Sequence, residues 1–144
     1  MPRTADTLSA CLVRAIEATV HGDSSSVDEL FTADVVAWSP TVSVTSRVEL
    51  AVELEDREDA FSEIDVRTGP VISGGHRASA EWVVTATHSG PLMIGDGPAL
   101  DPTGRRITLR GVTVADFEGA RICAVRHYWD EVELLAELGV VDRT

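Results

Sequence analysis

The chain has 144 residues, which suits one domain spanning 1–144 that buries about two-thirds of the surface its unfolded form would expose. Its formal net charge of −12 argues against nucleic acid, whose phosphates require a basic stripe, and against anionic membrane surfaces. All 12 basic residues are arginines, so catalysis through a lysine Schiff base is excluded.

No apolar run reaches the roughly 20 residues that a bilayer span needs. Met1-Pro2-Arg3-Thr4-Ala5-Asp6 lacks the basic-then-apolar order of a secretory signal, so a cytoplasmic protein is expected. Cys11 and Cys123 are too few and too isolated for a disulfide framework or a zinc site; they read as small buried apolar residues, and no metal is expected.

In chain order, Leu8, Cys11, Leu12, Ala15, Ile16 and Thr19 fall at helical spacing, which predicts an amphipathic helix from Thr4 to His21 with Gly22 available for a left-handed cap. Asp23-Ser24-Ser25-Ser26 offers N-caps for a short second helix, Val27-Asp28-Glu29-Leu30-Phe31. Ala33-Asp34 then turns the chain into a strand, Val35 to Ser39, stopped by Pro40. Ser46 to Ile64 reads as a third helix. Its acidic face of Glu49, Glu53, Glu55, Asp56, Glu58, Asp59 and Glu63 is taken as solvated.

Strands follow at Ile64–Ile72, Arg77–Ser89, Arg105–Phe117 and Arg121–Asp130, with glycine-bearing turns between most of them. Gly90 to Gly104, rich in Gly and Pro, is long for a hairpin connection and suits a functional lid or a simply mobile loop. Helices first and an antiparallel meander afterwards make an α+β pattern, a bent sheet wrapped around helices.

The last strand ends on Asp130 and passes into a short helix, Glu131 to Leu138, closed by Gly139. If that strand is unbulged, Ile122, Ala124, Arg126, Tyr128 and Asp130 share one face, which gathers a carboxylate, a phenol and a guanidinium. The other face, Cys123, Val125, His127 and Trp129, is assigned to packing, with His127 and Trp129 serving the core or a subunit contact.

Several of these pieces, taken in order, resemble the SnoaL-like polyketide cyclases of the ketosteroid-isomerase-like, or nuclear-transport-factor-2-like, superfamily. They include Leu30-Phe31-Thr32-Ala33-Asp34-Val35-Val36, Ala86-Thr87-His88-Ser89-Gly90 and Pro102-Thr103-Gly104-Arg105-Arg106. The others are a third helix ending in Ala60-Phe61-Ser62-Glu63-Ile64, Phe117-Glu118-Gly119-Ala120-Arg121-Ile122, Tyr128-Trp129-Asp130 and Leu134-Leu135-Ala136-Glu137-Leu138-Gly139.

The resemblance implies a cone-shaped half-barrel, a curved, mainly antiparallel sheet closed by three N-terminal helices around an apolar pocket. It also implies no cofactor, a homodimer or homotetramer, and a small apolar or aromatic ligand. Asp130 falls where the cyclases hold their acid–base aspartate, and His88 falls on the histidine of a Thr-His-x-Gly motif. The strand Gly111–Asp116 lacks the histidine that some cyclases place there. Ser39 and Thr113 stand about where ketosteroid isomerases carry their two acidic groups, so no steroid isomerase is expected.

Asp130 and His88 are thus the expected catalytic residues. Burial of the Asp130 carboxyl would lift its pKa toward neutrality for proton abstraction beside a carbonyl. Capping of the helix at Glu131 is an alternative role for Asp130 and is compatible with the first. Tyr128, Arg126 or His88 would supply a donor to the developing enolate. Trp38, Trp82, Arg126 and Tyr128 are the expected substrate contacts, the tryptophans suiting a flat ligand.

The expected activity is a cofactor-independent cyclase of the intramolecular aldol type, or an isomerase. The alternatives are an epoxide-hydrolase-like enzyme using Asp130, Arg126 and Asp116, and a non-catalytic binding or assembly module of the same fold.

Overall fold

Arg77–His88 alternates buried and exposed positions over 12 residues, and its inward members, Ala78, Ala80, Trp82, Ala86 and His88, are all buried. A strand this long and this regular organises its neighbours, because each inward residue needs a partner on the same face. The computed structural model describes residues 5–55, 60–93 and 97–141.

In those residues the order is α1 (Ala5–His21), α2 (Val27–Leu30), β1 (Phe31–Trp38), β2 (Ser43–Val44), α3 (Arg47–Glu55), β3 (Phe61–Thr68), β4 (Ile72–Gly74), β5 (Arg77–His88), β6 (Arg106–Glu118), β7 (Arg121–Trp129) and α4 (Glu131–Glu137). The strands form one curved, unclosed sheet in the order β2-β1-β7-β6-β5-β3, with β4 paired to β5. All pairings are antiparallel except β1 with β7.

The first helix lays Leu8, Leu12, Ala15 and Ile16 against the concave face, where Ala78, Ala80, Ala115, Phe117, Ile122 and Val125 complete the core. Burying each large aliphatic side chain there contributes about 1.5–3 kcal/mol. The small residues at 78, 80 and 115 leave room for the helix to come close to the sheet. Gly22, with φ of 67°, closes α1 in the left-handed conformation that glycine adopts freely.

Three expectations change. The third helix ends at Glu55, and Phe61–Thr68 is a strand paired antiparallel with β5, from Phe61 opposite His88 to Thr68 opposite Trp82. Sheet pairing overrides the helix propensity of that acidic run. Glu63 then sits in an irregularity between Ser62 and Asp65 with φ of +50°, while Asp56, Glu58 and Asp59 lie outside the described residues.

β1 begins at Phe31, so Ala33 and Asp34 are strand residues rather than a turn. They fall where the β1–β7 register shifts between Phe31 and Val36. Finally, the strand expected over Ile64–Ile72 is two strands, β3 and β4, and both pair with β5.

Candidate active site

A cavity of about 450 Å³ opens between the concave face of the sheet and the helices. Ile16 of α1, Leu50 and Leu54 of α3, and Leu134 and Leu135 of α4 form its helical walls. Trp82, Val84 and Ala86 of β5, Ile107 and Leu109 of β6, and Val125, His127 and Trp129 of β7 form its floor. Leu92 and Met93, from the connection after β5, add to the wall. The polar members of the lining include His127, Glu53, Glu131, Thr19, Ser39 and Thr41.

One hydrogen-bonded chain crosses the floor. The indole N–H of Trp82 donates to Thr113 Oγ1 at 2.9 Å, and the same oxygen lies 2.8 Å from Nδ1 of His127. Thr113 is fully buried and Trp82 nearly so, so neither group has water as an alternative partner. Trp82 can only donate, which commits one lone pair of the hydroxyl. The remaining proton and lone pair can serve His127 in either sense: the hydroxyl gives its proton to a neutral Nδ1 or accepts from Nδ1–H.

Opposite Trp82, β6 carries Gly111, which also faces Trp129 on β7. A Cβ at position 111 would come within 2.5 Å of the Trp82 ring and of the Tyr128 carbonyl oxygen. Glycine is therefore what lets the indole lie across β6.

The residues on β7 face the opposite way from expectation. Phe117 pairs with Ile122 and Asp116 with Ala124, so Cys123 is an extra residue in the ladder, a bulge. One inserted residue reverses the alternation. Ile122 and Val125 both become core, and His127 and Trp129 follow Val125 into the cavity wall, where packing or a subunit contact had been expected of them. Arg126 and Tyr128 are carried to the outer face. There Arg126 Nη1 lies 3.1 Å from Asp116 Oδ2, and Asp116 is also held by Arg77 at 2.6 Å. The Asp116–Arg126 pair considered for water activation therefore stands outside the cavity.

Tyr128 is 44% exposed and its ring centroid is 5.2 Å from that of Trp38, itself 41% exposed. Trp38 borders the cavity and Trp82 lies in its floor, whereas Arg126 and Tyr128 are not part of the wall.

The burial expected of Asp130 is also corrected. Its side chain is exposed and accepts from the backbone N–H of Val132 at 2.9 Å and of Glu133 at 3.3 Å, an N-cap on α4. The flanking residues Trp129 and Glu131 line the cavity, and Asp130 does not. Ending a strand and starting a helix at one residue turns the carboxylate toward the orphan amides of the first turn.

His88 is fully buried but stands behind the wall, its ring centroid 5.6 Å from that of the lining residue Phe61. Its Nδ1 accepts from the backbone N–H of Thr103 at 3.1 Å and lies 3.0 Å from Thr103 Oγ1. An accepting Nδ1 assigns the ring proton to Nε2, which is buried without a partner among the described residues.

Cys11 and Cys123 are free thiols, and burial pushes both above the ordinary thiol range. Among the described residues no group of three or more His, Cys, Asp or Glu side chains is placed to hold a metal ion. No helix among them is long and apolar enough to cross a membrane.

Comparison with solved structures places this architecture among known ones. TsrD from Streptomyces laurentii superposes with a TM-score of 0.79 at 14% identity, covering 96% of this chain and 99% of that one. IdmH from Streptomyces antibioticus, described as a candidate polyketide cyclase, gives 0.72 at 22% identity over 92% and 99% of the two chains. An LEH-like epoxide hydrolase from M. tuberculosis gives 0.67 at 16% identity over 92% and 90%.

Likeness at these identities concerns the fold. No curated protein matches this chain significantly. The family model of the SnoaL-like polyketide cyclases matches residues 10–138, nearly the whole chain and every described element of the sheet. The chain belongs to the SnoaL-like polyketide cyclase family.

Proposed function

We propose that this protein catalyses a cofactor-independent intramolecular aldol cyclisation of a polyketide-like carbonyl compound, with His127 as the acid–base group. The observation that carries the reading is an imidazole in the wall of an apolar cavity, oriented through Nδ1 by a buried threonine. A volume of about 450 Å³ lies within the range of about 300–1,000 Å³ typical of small-molecule sites. Histidine is the side chain whose unperturbed pKa lies nearest neutrality, so it can both take and return a proton at working pH.

The chemistry balances within one substrate. Nε2 of His127 takes a proton from a methylene beside a carbonyl, and the resulting carbanion attacks a second carbonyl carbon to form the ring bond. The electron pair displaced from that C=O moves onto its oxygen, which receives the proton back from Nε2–H. Thr113 accommodates both states of the ring, since its hydroxyl can face Nδ1 as donor or acceptor. Trp82 and Trp129 supply flat apolar walls for a ring-forming substrate.

The acid–base role expected of Asp130 is the competing proposal, supported by its place between two lining residues. Turnover of a poly-β-ketone substrate by His127→Gln and Asp130→Asn decides between them, with melting temperature as a control. Loss of about 100-fold or more in His127→Gln, with Asp130→Asn near the parent, is expected. The reverse pattern assigns the proton transfer to Asp130. Binding without turnover in the parent protein would leave a non-catalytic binding module. The outer face of the sheet, where Val36, Trp38 and Tyr128 are exposed, supports assigning a homodimer or homotetramer contact to that surface.

A further inference from the structure

The cavity wall carries two carboxylates, Glu53 from α3 and Glu131 from α4, and neither arginine nor lysine among the described lining residues. That asymmetry is unusual for a site on a carbonyl compound, whose carboxylate or phosphate handles are ordinarily met by arginine or lysine. Lysine is missing from the whole sequence.

Among the described residues, none of the arginines lines the cavity. Arg14 and Arg47 pair with Glu29 and Asp28, Arg77 and Arg126 with Asp116, and Arg110 with Glu133. Arg106 donates to the carbonyl oxygen of Glu63 at 2.6 Å. A net charge of −12 adds a general negative potential to the local one.

Resting on the reading of this cavity as a ligand site, we infer that it selects by charge. It admits apolar ring-sized compounds whose polar groups are neutral or cationic and rejects those bearing a carboxylate or phosphate, with Glu53 and Glu131 as the selecting residues. An incoming anion meets both carboxylates with no guanidinium fork among the described lining residues to offset them, and the apolar floor behind them solvates it poorly. A neutral carbonyl meets no charge repulsion by the same route and is far less costly to desolvate than an anion. An ammonium group gains a partner at the rim while its ring system enters the apolar space. Both glutamates are exposed, so the discrimination is an interaction through water and weakens with salt.

The test uses three probes of one shape: methyl 2-naphthoate, 2-naphthoate and 2-naphthylmethylammonium, titrated calorimetrically into the full chain. At low ionic strength the neutral and ammonium probes should bind at least about tenfold more tightly than the carboxylate. The gap should narrow in about 0.5 M salt. In the Glu53→Gln, Glu131→Gln double variant the ratio of neutral to carboxylate affinity should fall to about threefold or less. A carboxylate that binds as well as its ester overturns the inference, as does a gap that the double variant leaves intact. If none of the three probes binds, the cavity is not a site for such ligands, and the inference falls together with the reading under it.

Discussion

The indole N–H of Trp82 is fixed on the hydroxyl of Thr113 at 2.9 Å, and both side chains are buried. Thr113 also faces Nδ1 of His127 at 2.8 Å, so one hydroxyl joins an aromatic wall of the cavity to its imidazole. The same oxygen therefore matters for stability and for chemistry.

Thr113→Val keeps the shape of the side chain and removes the oxygen. It leaves a buried indole N–H unsatisfied, a cost of about 1–3 kcal/mol, and it removes the contact at Nδ1 of the imidazole. We expect a lower urea midpoint, an altered tryptophan emission maximum and a fall in turnover that tracks kcat rather than KM. Thr113→Ser, which restores the hydroxyl, should recover most of the turnover. A valine variant as active as the parent would show that the imidazole is oriented by other contacts.

Gly111 makes the neighbouring relationship possible. Alanine there would bring Cβ to 2.5 Å from both the Trp82 ring and the Tyr128 carbonyl oxygen, and backbone cannot swing aside as a flexible side-chain end can. Overpacking of this kind costs about 1–3 kcal/mol. Gly111→Ala should lower the melting temperature and change the near-ultraviolet circular dichroism of the tryptophans. Gly74→Ala, at a position where a Cβ meets open space, is the control and should change little.

These two residues also show where the sequence was readable. The alternation through Arg77–His88 and the cap–helix–glycine order after Asp130 are local signals, and the structure follows them. Asp130 is legible as a cap because capping needs only the amides two and three residues on. The facing of β7 was not legible in this way. Nothing in the apolar run Ile122-Cys123-Ala124-Val125 marks Cys123 as the inserted residue, since the insertion is defined by its pairing with β6. That single bulge exchanged the roles of Arg126 and Tyr128 with those of His127 and Trp129. A usable hint was present in Gly111, whose missing side chain inside a long strand pattern suggests close approach by a large neighbour. The third helix ran too far because glutamate and aspartate runs favour helix locally, while Phe61–Thr68 is decided by a distant strand.

The Gly- and Pro-rich connection after β5 is tied down at His88. Thr103 gives its backbone N–H to Nδ1 of His88, and its Oγ1 accepts from the backbone N–H of Arg105 at 3.2 Å. Leu92 and Leu100 pair across the same segment, and Leu92 lines the cavity. Thr103→Val removes the hydroxyl but keeps the backbone donor, so we expect a modest loss of about 0.5–1.5 kcal/mol. Hydrogen exchange of the 89–105 segment should quicken while that of α1 is unchanged. Unchanged exchange in that segment would place its anchoring at the Leu92–Leu100 pairing instead.

On the outer face, Asp116 sits between Arg77 and Arg126, and the hydrogen bond from Arg77, followed by that from Arg126, holds its carboxyl below the usual carboxylate range. A carboxyl that is more acidic in the folded chain than in the unfolded one binds fewer protons there. Its stabilisation is complete above the unfolded value of about 3.9 and is lost as pH falls through the folded value. Arg77 is largely exposed, so solvent and salt screen the pair and its worth near neutrality is about 1 kcal/mol or less. Asp116→Asn should therefore lower the urea midpoint slightly at pH 7. The difference from the parent should shrink below about pH 4 and close once the parent's own carboxyl is protonated. Unfolding titrations of both proteins across that range check the expectation; a gap that stays constant into acid would mean that packing of the asparagine, rather than the lost charge, sets the difference.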